Sequence, residues 1–131
     1  TYATVSSYTD SDALSLFNAS GSAPVYACRA WVNFNGTGTV AIRASGNVSS
    51  ITDNGTGYYT VNITTALSDI NYTLLASISP AYASNTGITS LNSTATGLEE
   101  TTPTTSNFTI GIRDIAGTTY DPKYVSVAVL R

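Results

Sequence analysis

Ala27-Cys28-Arg29-Ala30-Trp31-Val32-Asn33-Phe34-Asn35-Gly36-Thr37-Gly38-Thr39-Val40-Ala41-Ile42-Arg43 decides the fold, because apolar and polar residues alternate along it, meet a glycine turn and then resume alternating. Period-two alternation interrupted by glycine is the pattern of a β-hairpin. Trp31 and Phe34 fall on opposite faces of the first strand, and Trp31 shares its face with Arg29 and Asn33. Trp31 is therefore expected to meet a partner chain or solvent. The single cysteine, Cys28, cannot make an internal disulfide and reads as a small buried core side chain.

Outward from the hairpin, strand patterns recur at 25–35, 39–44, 48–52, 58–64, 72–79, 108–113 and 124–130. Short strands separated by turn signals predict an all-β chain, an antiparallel β-sandwich or jelly-roll-like domain. Asn35-Gly36 and Asn54-Gly55 supply residues that tolerate positive φ, Gly46-Asn47 does so in reverse order, and Asp121-Pro122 sets a bend before the last strand. Tyr59, Val61 and Ile63 alternate with Tyr58, Thr60 and Asn62, so the first set is assigned to the core. Val125, Val127 and Val129 are assigned inward likewise, opposite Tyr124, Ser126, Ala128 and Leu130. Both faces of this last strand are apolar enough to call for two covers, one from its own domain and one from a neighbouring chain.

Residues 1–23 differ from the rest and read as a partly helical N-terminal connector to an upstream shaft, with 24–131 as the C-terminal domain. The apolar run Ala13-Leu14-Ser15-Leu16-Phe17 follows Asp10-Ser11-Asp12, a helix-capping cluster. A calcium loop is the less favoured use of these acids, since the glycine and distal Glu of an EF-hand do not follow at their spacing. Thr1 in place of Met suggests a piece of something longer. The interval 80–107, rich in Ser, Thr and Asn, is the longest without a strong strand pattern, although 88–91 leaves an extra edge strand open.

At 131 residues the chain suits one domain with a core of its own. Net charge is −3, and the five cationic residues Arg29, Arg43, Arg113, Lys123 and Arg131 are scattered in sequence, which argues against a nucleic-acid partner. No run approaches the about 18 apolar residues of a membrane span, and no basic segment precedes an apolar one as in a signal peptide. With no His and one cysteine assigned to the core, the usual general base, thiolate and imidazole ligand are lacking, so neither a metal nor a cofactor is expected. Paired carboxylates drawn from Asp53, Asp69, Glu99, Glu100, Asp114 and Asp121 would be the one route to glycoside cleavage. Asp53 beside Asn54-Gly55 and Asp121 before Pro122 have ordinary turn roles, and no catalysis is expected. Eight Asn-x-Ser/Thr sequons arise by chance in so Asn-, Ser- and Thr-rich a chain.

The aromatic residues are the remaining functional candidates, because Tyr and Trp stack on sugar rings or fill receptor pockets while their polar tips hydrogen-bond. Receptor-contact candidates are Tyr58 at a hairpin, Tyr82 heading the long polar interval, and Asn85, Asn92, Glu99 and Glu100 along it. Subunit-interface candidates are Trp31, Tyr124 and Leu130.

Cys28-Arg29-Ala30-Trp31-Val32-Asn33-Phe34-Asn35-Gly36, with Asn47-Val48-Ser49-Ser50-Ile51-Thr52-Asp53-Asn54-Gly55-Thr56-Gly57 and the run Tyr58 to Thr64, resembles a module near the C-terminal ends of tailed-phage fibre proteins, notably those of marine phages. The likeness covers 22–64 most strongly, and the closing Tyr124-Val125-Ser126-Val127-Ala128-Val129-Leu130-Arg131 looks like the terminal strand of those proteins. Residues 65–119 carry no such likeness. The resemblance implies a homotrimer at the distal end of a virion projection, extracellular and joined to a fibre shaft. It further implies multivalent attachment to a bacterial surface glycan or outer-membrane protein, without membrane insertion. A structural virion domain, such as a head fibre, head spike or trimerisation cap, is the second expectation, and a polysaccharide depolymerase the third.

Overall fold

The computed structural model describes residues 7, 9–17, 27–79, 88–91 and 101–131. Among them one helix, α1 (Asp10–Phe17), is followed by eight strands: β1 (Cys28–Asn35), β2 (Ala41–Gly46), β3 (Val48–Gly55), β4 (Tyr58–Ile63), β5 (Thr73–Ile78), β6 (Ile88–Leu91), β7 (Asn107–Arg113) and β8 (Val125–Leu130). The pairings are antiparallel throughout and build two four-stranded sheets, β2-β1-β8-β5 and β3-β4-β7-β6. The described residues are thus mostly antiparallel β-sheet, consistent with an all-β chain, and the extra strand left open at 88–91 forms the edge strand β6. No described helix is long and apolar enough to cross a membrane.

Alternation decides what each sheet buries. Ala30, Val32 and Phe34 from β1 and Val125, Val127 and Val129 from β8 join Tyr59, Val61 and Ile63 from β4 and Phe108, Ile110 and Ile112 from β7 in one buried cluster. The assigned inward faces of β4 and β8 are the ones observed. Phe34 meets Tyr59 edge-on at 5.1 Å between centroids, a contact that ties β1 of one sheet to β4 of the other.

A half-buried carboxylate braces the same region. The Asp121 carboxylate accepts from the Tyr59 hydroxyl and from the Gly57 backbone N–H, both at 2.7 Å. Burial first, and the hydrogen bond to Asp121 second, hold the Tyr59 hydroxyl far above its ordinary range, so it remains a neutral donor. Asn47, at φ 56°, makes a second clasp: its amide donates to the Arg29 and Thr65 carbonyls, and its Oδ1 accepts from Thr65 N–H at 2.7 Å. The turn chemistry of Gly46-Asn47 is therefore realised at Asn47.

Four expectations are corrected. Cys28 is exposed rather than buried, because β1 bulges against β8 between Cys28 and Ala30, and the extra residue turns Cys28 out beside Leu130. Positive φ in the first hairpin falls on Gly38, not on Asn35-Gly36. Gly36 is instead a close approach, where a Cβ would lie 2.9 Å from the Pro122 carbonyl oxygen. The helix cap is Thr9: its N–H and hydroxyl both donate to the Asp12 carboxylate, at 2.8 and 2.7 Å, which holds that carboxyl below its usual value. Lastly, Tyr58 is buried at 5% exposure, paired in register between Gly55 and Gly111, and its hydroxyl accepts from Arg113 at 2.9 Å. Its ring offers no receptor-contact surface.

Candidate functional site

With one face of the β2-β1-β8-β5 sheet turned to the core, its other face carries the residues that alternation sends outward. Register aligns them in rows. Gly46, Trp31, Ala128 and Leu75 lie side by side across the four strands, and Ala44, Asn33, Ser126 and Ser77 form the next row. The first row is large, small, large over its last three members: Trp31 is 44% exposed and Leu75 53%, with Ala128 between them. The result is an open groove of about 450 Å³ along β8, floored by Ala128 and Ser126.

Local packing fixes the groove walls. The Trp31 indole leans over Gly46, where a Cβ would come within 2.9 Å of Cδ1, so a bare backbone is needed under the ring. In the polar row, the Asn33 amide donates to Ser126 Oγ at 2.7 Å. One step further along β8, Tyr124 stands 49% exposed, with the Arg43 guanidinium 4.3 Å and the Lys123 ammonium 5.7 Å from its ring centroid. Arg43 is held there by donating to the Lys123 carbonyl at 2.6 Å. The face thus presents an aromatic wall, a hydrogen-bonding row and a cationic end, a set suited to a polar ligand with an apolar side.

The three interface candidates Trp31, Tyr124 and Leu130 meet on this face, Leu130 half-buried at the end away from Tyr124. Tyr82, Asn85, Asn92, Glu99 and Glu100 lie outside the described residues. Leu75 and Arg43 were missed by sequence reasoning. The signal for Leu75 was the alternation of 72–79, which sends Leu74 and Leu75 to opposite faces. Nothing in sequence marks Arg43, whose contact with Tyr124 and Lys123 spans 80 residues.

The described carboxylates that were weighed for catalysis hold turns and braces. Asp53 accepts from Gly55 N–H, Asp114 from Ala116 and Thr118 N–H, Asp121 from Tyr59 and Gly57, and Asp69 from Asn71 N–H while pairing with Arg131. Among the described residues no three His, Cys, Asp or Glu side chains group as a metal site. No protein-family model, curated protein or solved structure matches this chain.

Proposed function

We propose that this chain is the distal domain of a tailed-phage fibre, a β-sandwich that assembles as a homotrimer on the virion and attaches the particle to its bacterial host. The observation that carries the reading is the outer face of the β2-β1-β8-β5 sheet. There Trp31, Leu75 and Tyr124 stand exposed beside Arg43 and Lys123, although the same strands bury their other face in a continuous core. The shared core of the two sheets supports the sandwich, and the likeness of 22–64 to phage fibre modules supports the setting. A rigid sheet presenting aromatic and hydrogen-bonding groups suits repeated weak contacts, which several copies on one particle convert to strong attachment.

The test is competition. Saturating purified chain should block adsorption of the phage that encodes it; unchanged adsorption would refute receptor binding. Such a result would leave the second reading, a structural virion domain in which exposed Trp31 and Leu75 are covered by a sister chain. The depolymerase reading draws no support from Asp53, Asp69, Asp114 and Asp121, each of which is engaged in a turn or brace.

A further inference from the structure

Charge is distributed unevenly over this protein. The chain carries a net charge of −3, yet two of its five cationic residues, Arg43 and Lys123, converge on one exposed ring of the outer sheet face. Arg43 and Lys123 converge on the Tyr124 ring just before β8, and Arg131 follows the far end of that strand. Among the described residues the acid that pairs with any of them is Asp69, which neutralises Arg131. Arg43 and Lys123 therefore bring two like charges to one exposed ring without a carboxylate between them. Such an arrangement raises the local potential and favours an anion arriving from solution.

We infer that the groove over Ala128 and Ser126 binds an acidic oligosaccharide, with a pyranose ring stacked on Trp31 and a carboxylate at Arg43 and Lys123. This deepens the fibre reading proposed above and rests on it for its biological setting. The geometry fits an extended ligand. Ala128 stands four positions along the chain from Tyr124, which immediately precedes β8, about 13 Å at strand rise, and the polar row Asn33, Ser126 and Ser77 crosses the groove between the two ends. An apolar sugar face would meet the indole, hydroxyls the polar row, and the acid the cationic end. Arg43 uses Nη2 for its bonds to Lys123 and Asn35, which leaves the rest of its donor edge for a carboxylate. A second copy of the chain fits less well. A self-complementary contact on this face would desolvate Arg43, Lys123 and the Asn33–Ser126–Ser77 row, and among the described residues the acid paired with a cationic residue along this sheet, Asp69, is already engaged by Arg131.

The experiment is calorimetric titration of the full chain with hexagalacturonate, with oligomers of glucuronate and N-acetylneuraminate alongside, and with maltohexaose as the neutral counterpart. Trp31, the sole tryptophan, reports through its emission. Saturable binding of at least one acidic oligomer is expected, with a shift in Trp31 emission, weakening with salt, and affinity for maltohexaose lower by about tenfold or more. Trp31→Ala should abolish binding, and Arg43→Gln should bring the acidic ligand down to the neutral level, both with unchanged far-ultraviolet circular dichroism. The inference is overturned by absence of saturable binding to all three acids, by equal binding of maltohexaose, or by Arg43→Gln retaining the acidic preference. It is also overturned if Trp31 emission shifts to the blue as molecular mass rises with concentration, which would give the face to a sister chain. Loss of this binding while the chain still blocks adsorption removes the groove and keeps the fibre reading. Acidic-glycan binding by a chain that leaves adsorption unchanged does the reverse.

Discussion

Removing the Asp121 carboxylate tests how the two sheets are held together. Asp121 precedes β8 and accepts, through one oxygen, the Tyr59 hydroxyl of β4 and the Gly57 N–H of the preceding turn, each at 2.7 Å. In Asp121→Ala the fully buried Tyr59 keeps a long 3.4 Å bond to the Gly36 carbonyl, and Gly57 N–H loses its partner. A buried donor left unpaired costs about 1–3 kcal/mol, more where the lost acceptor was charged, so the substitution should cost about 3–5 kcal/mol. Asp121→Asn retains an acceptor oxygen and should cost about 1 kcal/mol. Tyr59→Phe deletes one donor, and the Tyr59→Phe/Asp121→Ala double variant should be less destabilised than the sum of the singles by about 1–2 kcal/mol. Urea unfolding followed by Trp31 emission measures all four. An Asp121→Ala protein within about 0.5 kcal/mol of the wild type would refute the brace.

Three further outcomes follow from other contacts. Asn47→Ala loses three hydrogen bonds and forces a non-glycine, non-Asn residue to φ 56°, whereas Asn47→Gly loses the bonds alone; urea midpoints should fall for both and further for Ala. Gly46→Ala sets a methyl against the Trp31 indole and should cost about 1–3 kcal/mol while red-shifting Trp31 emission as the ring lifts into water. The alkaline side of the stability profile belongs to tyrosine. Tyr59 has its folded value raised above the ordinary 10.0, so its contribution is complete below that pH and declines as pH rises through and beyond it. The decline for this one group reaches about 1.4 kcal/mol per pH unit, and Tyr59→Phe should flatten it; an unchanged alkaline slope in that variant would contradict the assignment.

Period-two alternation made most of the fold legible. It placed Tyr59, Val61, Ile63, Val125, Val127 and Val129 inward and separated Trp31 from Phe34 correctly, because a half-buried strand imposes its period on the sequence whatever its partners. It failed at Cys28, where a bulge inserts one residue and reverses the phase, and a bulge against β8 depends on a strand about a hundred residues away in sequence. It failed at Tyr58 for a related reason: its place between Gly55 and Gly111 and its bond from Arg113 are set by register across two other strands. The candidate site was half legible. Trp31, Tyr124 and Leu130 were recognisable as outward apolar side chains, but their common face with Leu75, Arg43 and Lys123 depends on β8 lying between β1 and β5, an order no local pattern encodes.

The most direct test of the account is acrylamide quenching of Trp31 in the full chain over a concentration series, with mass followed by light scattering. The account predicts efficient quenching that is the same at every concentration and in the proposed trimer, and that falls when the acidic oligomer that binds fills the groove. A Trp31 already shielded in the free protein would contradict it, as would one that becomes shielded only as chains associate.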